Sequence, residues 1–202
     1  MMTKKDAAIK KGLIKFEDEI AKLFSAGKIL APVHLSDGNE DVLIDIFKNV
    51  RKDDWVFSTH RSHYHALLHG IDREWLRQEI LRGNSITVCN PEHHFYSSGI
   101  VGGNTPIALG VAMALKRKGL SQRVWVFVGD MAALGGIFYE AVQYAERNDL
   151  PITLVVEDNG ISTNTPTQKA WGEGNSTGKV IKYSHKKEKY PHYGSGKWVT
   201  FG

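Results

Sequence analysis

Residues 124–159 read VWVFVGDMAALGGIFYEAVQYAERNDLPITLVVEDN, and their pattern decides the fold. Val124 to Val128 is an apolar run without polar alternation, which is how a strand buried on both faces of a parallel sheet looks. Gly129-Asp130 ends the run. A helical pattern follows, with Ile137, Phe138, Ala141, Val142 and Ala145 on one face, until Leu150-Pro151 breaks it. A second apolar run, Ile152 to Val156, ends in Glu157-Asp158-Asn159. Strand, helix, strand in this order is a right-handed crossover unit, so the fold class expected is α/β, a parallel sheet flanked by helices.

Ligands of such sheets sit outside the carboxyl ends of the strands. Asp130 and Asn159 would stand there side by side. A carboxylate and an amide oxygen are hard ligands suited to Mg²⁺, which completes its shell with phosphate oxygens and water. The small residues Ala132 and Ala133 would leave backbone N–H groups at a helix start free to meet an anion. Metal plus diphosphate is the reading that follows; the plainer one has Asp130 capping the helix and Asn159 turning the chain. Ordinary NAD binding fits less well, because residues 129–136 lack the G-x-G-x-x-G spacing.

The segment resembles the thiamine-diphosphate motif, Gly-Asp-Gly followed at a distance by Asn-Asn, present here as Gly129-Asp130-Met131 and Asp158-Asn159. Three further stretches are similar, in the same order, to the α subunit of 2-oxo acid dehydrogenase E1 components. They are KLFSAGKILAPVHLSDGNED from Lys22, DDWVFSTHRSHYHALLHGID from Asp53 and SGIVGGNTPIALGVAMALK from Ser98. The likeness runs from residue 13 to residue 166. It implies a thiamin diphosphate-binding fold with thiamine diphosphate and Mg²⁺ as cofactors. A diphosphate-binding domain with N-terminal helices would span residues 1–178, and a C-terminal arm or tail residues 179–202.

By position, the resemblance assigns the metal to Asp130, Asn159 and the main-chain carbonyl of Ile161. Gly129, Asp130, Met131 and Ala132 would face the diphosphate. So would His60 and Arg61, where the family has a Tyr-Arg pair; the planar fork of an arginine suits phosphate oxygens on its own account. The backbone of Gly99 and Val101 would bond the aminopyrimidine. His34, in the HLS-x-G-x-E match, and His63 would be the active-site histidines. His60, His63, His65 and His69 could instead suggest zinc, but no Cys or acidic residue stands at matching spacing. His65 and His69 read as helix-surface or packing residues. Residues 84–97 lack the family's Gly-rich loop, and His93 and His94 read there as loop residues.

Helical spacing and turn residues predict helices over residues 5–26, over 40–50 behind an Asn39 cap, from Asp72 to Gly83 and over 106–118. A chain of 202 residues suits one domain with a substantial core. The single Cys89 rules out an internal disulfide framework and suits a reducing cytosol. No apolar run reaches membrane-spanning length, and the first residues lack a secretory hydrophobic region. The net charge of +4 rests on scattered or terminal lysines, which points to solubility and a phosphate-bearing ligand before nucleic acid.

Only one diphosphate-binding crossover unit is present. The resemblance therefore implies half of an active site, completed by a β-like subunit that carries the pyrimidine-binding domain and its Glu, in a dimer or an α₂β₂ assembly. The substrate would be a 2-oxo acid. A split transketolase-like enzyme acting on a ketose is the alternative. Met131 and Asp158, in place of the motif's Gly and first Asn, also keep open a non-catalytic assembly subunit.

Overall fold

The computed structural model describes residues 3–162, 165–172, 178, 180–186 and 189–190. In chain order the elements are α1 (Lys4–Ser25), α2 (Glu40–Phe47), β1 (Trp55–Ser58), α3 (His63–Leu68), α4 (Arg73–Leu81), β2 (Cys89–Asn90), β3 (Phe95–Ser97) and α5 (Asn104–Arg117). They continue with β4 (Val124–Gly129), α6 (Gly136–Arg147), β5 (Ile152–Asp158), β6 (Ile161–Ser162), β7 (Thr165–Pro166), α7 (Thr167–Trp171) and β8 (Ile181–Ser184). Six strands form one sheet in the order β2-β3-β1-β4-β5-β8, in which all pairs are parallel except the edge pair β2–β3. The expected α/β class is what the chain adopts.

Side chains alternate across this sheet and so build two cores. Val56, Phe95, Trp125, Phe127 and Val155 face a layer formed by α1 to α4. Phe57, Val124, Val126, Val128, Leu154 and Val156 face α5 and α6 on the other side. With helices on both faces, every side chain from Val124 to Val128 is buried, which is why the run reads as continuous.

Several boundaries differ from the sequence reading, each for a local reason. Helix α2 ends at Phe47, and Asn39 makes no side-chain cap because its amide is drawn to Glu157 and Tyr183 instead. Ile137, expected on the inner face of α6, is 44% exposed, while Phe138, Ala141, Val142 and Ala145 are buried as expected. Residues 84–97 are more than a loop: Phe95–Ser97 pairs with β1 inside the sheet. Within the segment read as an arm, Ile181–Ser184 pairs with β5 as the sheet's outer strand, and residues 191–202 lie outside the described residues. No described helix is long and apolar enough to cross a membrane.

Candidate functional site

Chain order runs outward from β1 to β3, then returns to the other side of β1 at β4. The carboxyl ends of β1 and β4 therefore flank the point where the winding reverses, where open α/β sheets hold ligands. A cleft of about 850 Å³, open to solvent, lies there. The end of β1 contributes Ser58 to Arg61, the end of β4 Phe127 to Ala132, and the end of β5 Glu157, Asn159 and Ile161. Ser36, Asp37 and Asn39 close one wall, and Ser98 with Ile100 to Gly102 another. His185, just beyond β8, also lines it.

Most of the expected residues meet in this cleft. His60, Arg61, Val101, Gly129, Asp130, Met131, Ala132, Asn159 and Ile161 all line it. A Cβ on Gly129 would meet nothing within 4 Å, so the space above the β4 end is kept by the absence of a side chain. Asp130 is buried, and its Oδ2 accepts a hydrogen bond from Thr167 at the start of α7. Asn159 Oδ1 accepts the backbone N–H of Ile161 at 3.2 Å, which fixes the amide at the cleft. Asp158 points the other way: its carboxylate accepts the Gly160 N–H and pairs with Lys182 of β8 at 3.2 Å. Its replacement of the motif's Asn therefore falls outside the cleft lining.

The remaining expectations fare differently. His34 is not a lining residue, but its ring meets that of His60 edge-on at 4.6 Å. Gly99 is exposed beside the cleft, and an added Cβ there would crowd Ile86 Cδ1 at 3.1 Å. His63, expected in the active site, is fully buried behind it. Its Nδ1 lies 2.8 Å from Glu17 Oε2 of α1 and its Nε2 3.0 Å from Ser85 Oγ. That geometry gives His63 a structural bond to make and no surface toward the cleft. The helix start expected at Ala132 is a single 3-10 turn, Ala132–Leu134, and α6 begins only at Gly136.

Sequence reasoning passed over the cleft floor. Glu157, buried at the end of β5, accepts from Asn39 Nδ2 at 3.3 Å, from the Tyr183 hydroxyl, and faces His65 Nε2 at 3.3 Å; all three meet Oε1. The other ring nitrogen of His65 lies 2.6 Å from Ser58 Oγ. Burial would push the Glu157 carboxyl up, but the His65 imidazole and the Tyr183 hydroxyl outweigh it and hold Glu157 below the usual glutamate range. Burial pushes Tyr183 well above an ordinary phenol, and the neighbouring Glu157 charge adds to this. A polar residue one place before the Asp-Asn pair, at the last inward position of a strand, was the available signal.

The donor set can be tested against a metal-diphosphate. Burial depresses the Arg61 pKa, opposed in turn by the carboxylates of Glu157, Asp37 and Asp130. The guanidinium stays cationic all the same and is the only Lys or Arg among the described lining residues. One arginine against three carboxylates does not match a bare polyanion; it matches an anion that arrives with a divalent cation. Asn39 Oδ1 is buried with no hydrogen-bond partner, an acceptor suited to water on such a cation. The residues fit. Among the described residues no group of three or more His, Cys, Asp or Glu could hold a metal ion.

Residues 10–180 match the family model described as "Dehydrogenase E1 component". The α subunit of acetoin:2,6-dichlorophenolindophenol oxidoreductase from Bacillus subtilis is 32% identical over 165 residues, covering 77% of this chain and 50% of that one. The α subunit of the pyruvate dehydrogenase E1 component from Rickettsia prowazekii is 30% identical over 168 residues, covering 78% and 52%. The chain thus spans about half the length of the curated relatives it matches. A cleft at the winding reversal, floored by the strand ends that carry the Asp130 and Asn159 motif, and a family match across most of the sequence lead to one conclusion: the chain belongs to the dehydrogenase E1 component family.

Proposed function

We propose that this chain is the diphosphate-binding α-like subunit of a thiamine diphosphate- and Mg²⁺-dependent enzyme that acts on a 2-oxo acid. The observation that carries this reading is Asp130 and Asn159 at the ends of the neighbouring parallel strands β4 and β5, on the same cleft lining as Arg61. Asp130, Asn159 Oδ1 and the Ile161 carbonyl would hold the metal. Arg61 and His60 would bind the diphosphate, with the backbone from Gly129 to Ala132 closing around it. Gly99 and Val101 would meet the aminopyrimidine through their backbone. When bound, thiamine diphosphate supplies a nucleophilic ring carbon that attacks the substrate's keto group. His34, outside the cleft lining but in ring contact with His60, would hold or deliver a proton through that contact.

A partner is part of the proposal. Ile100, Val101, Ile107 and Ile137 are all exposed, on the cleft rim and on the outer faces of α5 and α6. Apolar side chains gathered on one side of a molecule mark a surface that another chain covers. We assign that chain as a β-like subunit that brings the pyrimidine-binding domain and its glutamate. The exposed free thiol of Cys89 suits a reducing cytosol. The test is to co-express the chain with such a subunit and follow oxidation of pyruvate by an artificial electron acceptor. Turnover that needs both subunits, thiamine diphosphate and Mg²⁺ supports the reading. A stable complex without turnover on any 2-oxo acid, yet active on a ketose, would favour a ketol-transferring enzyme.

A further inference from the structure

The cleft carries more negative charge than its metal ligands require. Asp130 is the carboxylate of the metal motif; Asp37 and Glu157 are not part of it, and both are buried on the lining. Glu157 is held firmly. Asn39 and Tyr183 donate to its Oε1, and His65 Nε2 approaches the same atom. Of the carboxylates that act on Arg61, Glu157 acts most strongly.

We propose that Glu157 is a selectivity residue, whose fixed charge at the cleft floor excludes free diphosphate and admits only the metal-complexed form. This rests on the reading of the site as one for metal and diphosphate. A bare diphosphate ester entering the cleft meets Arg61, but it also meets the carboxylates of Glu157, Asp37 and Asp130 on the same lining. A divalent cation held by Asp130 would offset much of the phosphate charge and relieve the repulsion from these carboxylates. Glu157 thereby turns metal from an aid into a condition of binding. It also keeps Arg61 supplied with a counter-charge while the cleft is empty of anion.

The variant that isolates this role is Glu157→Gln. The described hydrogen bonds to Glu157, from Asn39, Tyr183 and His65, all meet Oε1, so a glutamine with its oxygen in that place keeps these three and removes the charge. The probe is inorganic pyrophosphate, titrated calorimetrically into the full chain with Mg²⁺ and with excess chelator. The native chain is expected to bind pyrophosphate with Mg²⁺ and hardly at all without it. In Glu157→Gln, metal-free affinity should rise about tenfold, as removal of one unit charge at close range implies, and affinity with Mg²⁺ should change far less.

Unchanged or weaker metal-free binding in Glu157→Gln, with native Mg²⁺-dependent binding intact, overturns the proposal alone. No pyrophosphate binding by the native chain, even with Mg²⁺, overturns the reading of the site and the proposal together. Should Glu157→Gln fail to fold, Asp37→Asn removes another of the charges that act on Arg61. It must show the same gain in metal-free affinity, and its failure to do so overturns the charge argument.

Discussion

His63 Nδ1 and Glu17 Oε2 lie 2.8 Å apart, with both side chains fully buried. The pair joins α3 to α1, and Glu17 Oε1 also accepts the backbone N–H of Ser36 at 2.9 Å. Ser36 lines the cleft, and His60 and Arg61 immediately precede α3. The bond therefore holds two walls of the cleft in register from behind. Replacing His63 by Leu would leave a buried carboxylate without its partner, at a cost of about 3 kcal/mol or more. Urea denaturation should show that loss, and the Glu17→Gln/His63→Leu double variant should recover part of it. A His63→Leu protein as stable as the native one would contradict this role.

Asp54 is fully buried where β1 and β4 begin, and its pH dependence follows from its bonds. Its carboxylate accepts from the Arg51 side chain and backbone, the Arg123 N–H at 2.8 Å and Trp125 Nε1 at 3.2 Å. Burial would raise its pKa, but these donors more than offset that and hold it below the ordinary aspartate value. A depressed folded pKa contributes stability above the unfolded value of about 3.9 and loses it as pH falls through the folded one. Melting temperature should drop with acid below about pH 4. In Asp54→Asn, stability near neutral pH should be lower and the acid slope shallower; an unchanged slope would assign acid lability elsewhere.

Exposed Ile107 on α5 lies outside the cleft lining. Ile107→Glu should leave pyrophosphate binding with Mg²⁺ unaltered and weaken association with the β-like subunit at least tenfold, since a charge placed in an apolar contact is left unpaired. Analytical ultracentrifugation of the mixture reads the difference. Undiminished association would move the interface to another face.

How far the sequence carried this reading depended on burial. Strands β4 and β5 run six and seven residues with helices on both faces, so their apolar runs are unbroken and legible. Strands β1, β3 and β8 have only four, three and four residues, and Ile181-Lys182-Tyr183-Ser184 carries a polar alternation that a tail shares. Asp130, Asn159 and Arg61 were legible because chemistry fixes their type and the motif their spacing. Glu157 and His65 were not. Their link crosses 92 residues of chain, and it forms only because α3 packs its inner side against β4 and β5. His63 shows the converse. Its position in the family pattern pointed toward the chemistry, and its burial against Glu17 turned it into a structural bond.

Arg61 should be intolerant of its nearest substitute. Arg61→Lys keeps a charge but loses the planar fork, so pyrophosphate affinity with Mg²⁺ should fall about tenfold, and Arg61→Ala should reduce it further. Equal affinity in Arg61→Lys would mean that charge alone suffices.

The most direct test is calorimetric titration of thiamine diphosphate into the full chain, with and without Mg²⁺, repeated on Asp130→Ala and Asn159→Ala. Binding to the native chain should depend on Mg²⁺, that dependence should be lost in both variants, and binding should tighten once the β-like subunit is added. Equal binding with and without Mg²⁺, or native affinity in Asp130→Ala, would contradict the metal-diphosphate site at the ends of β4 and β5.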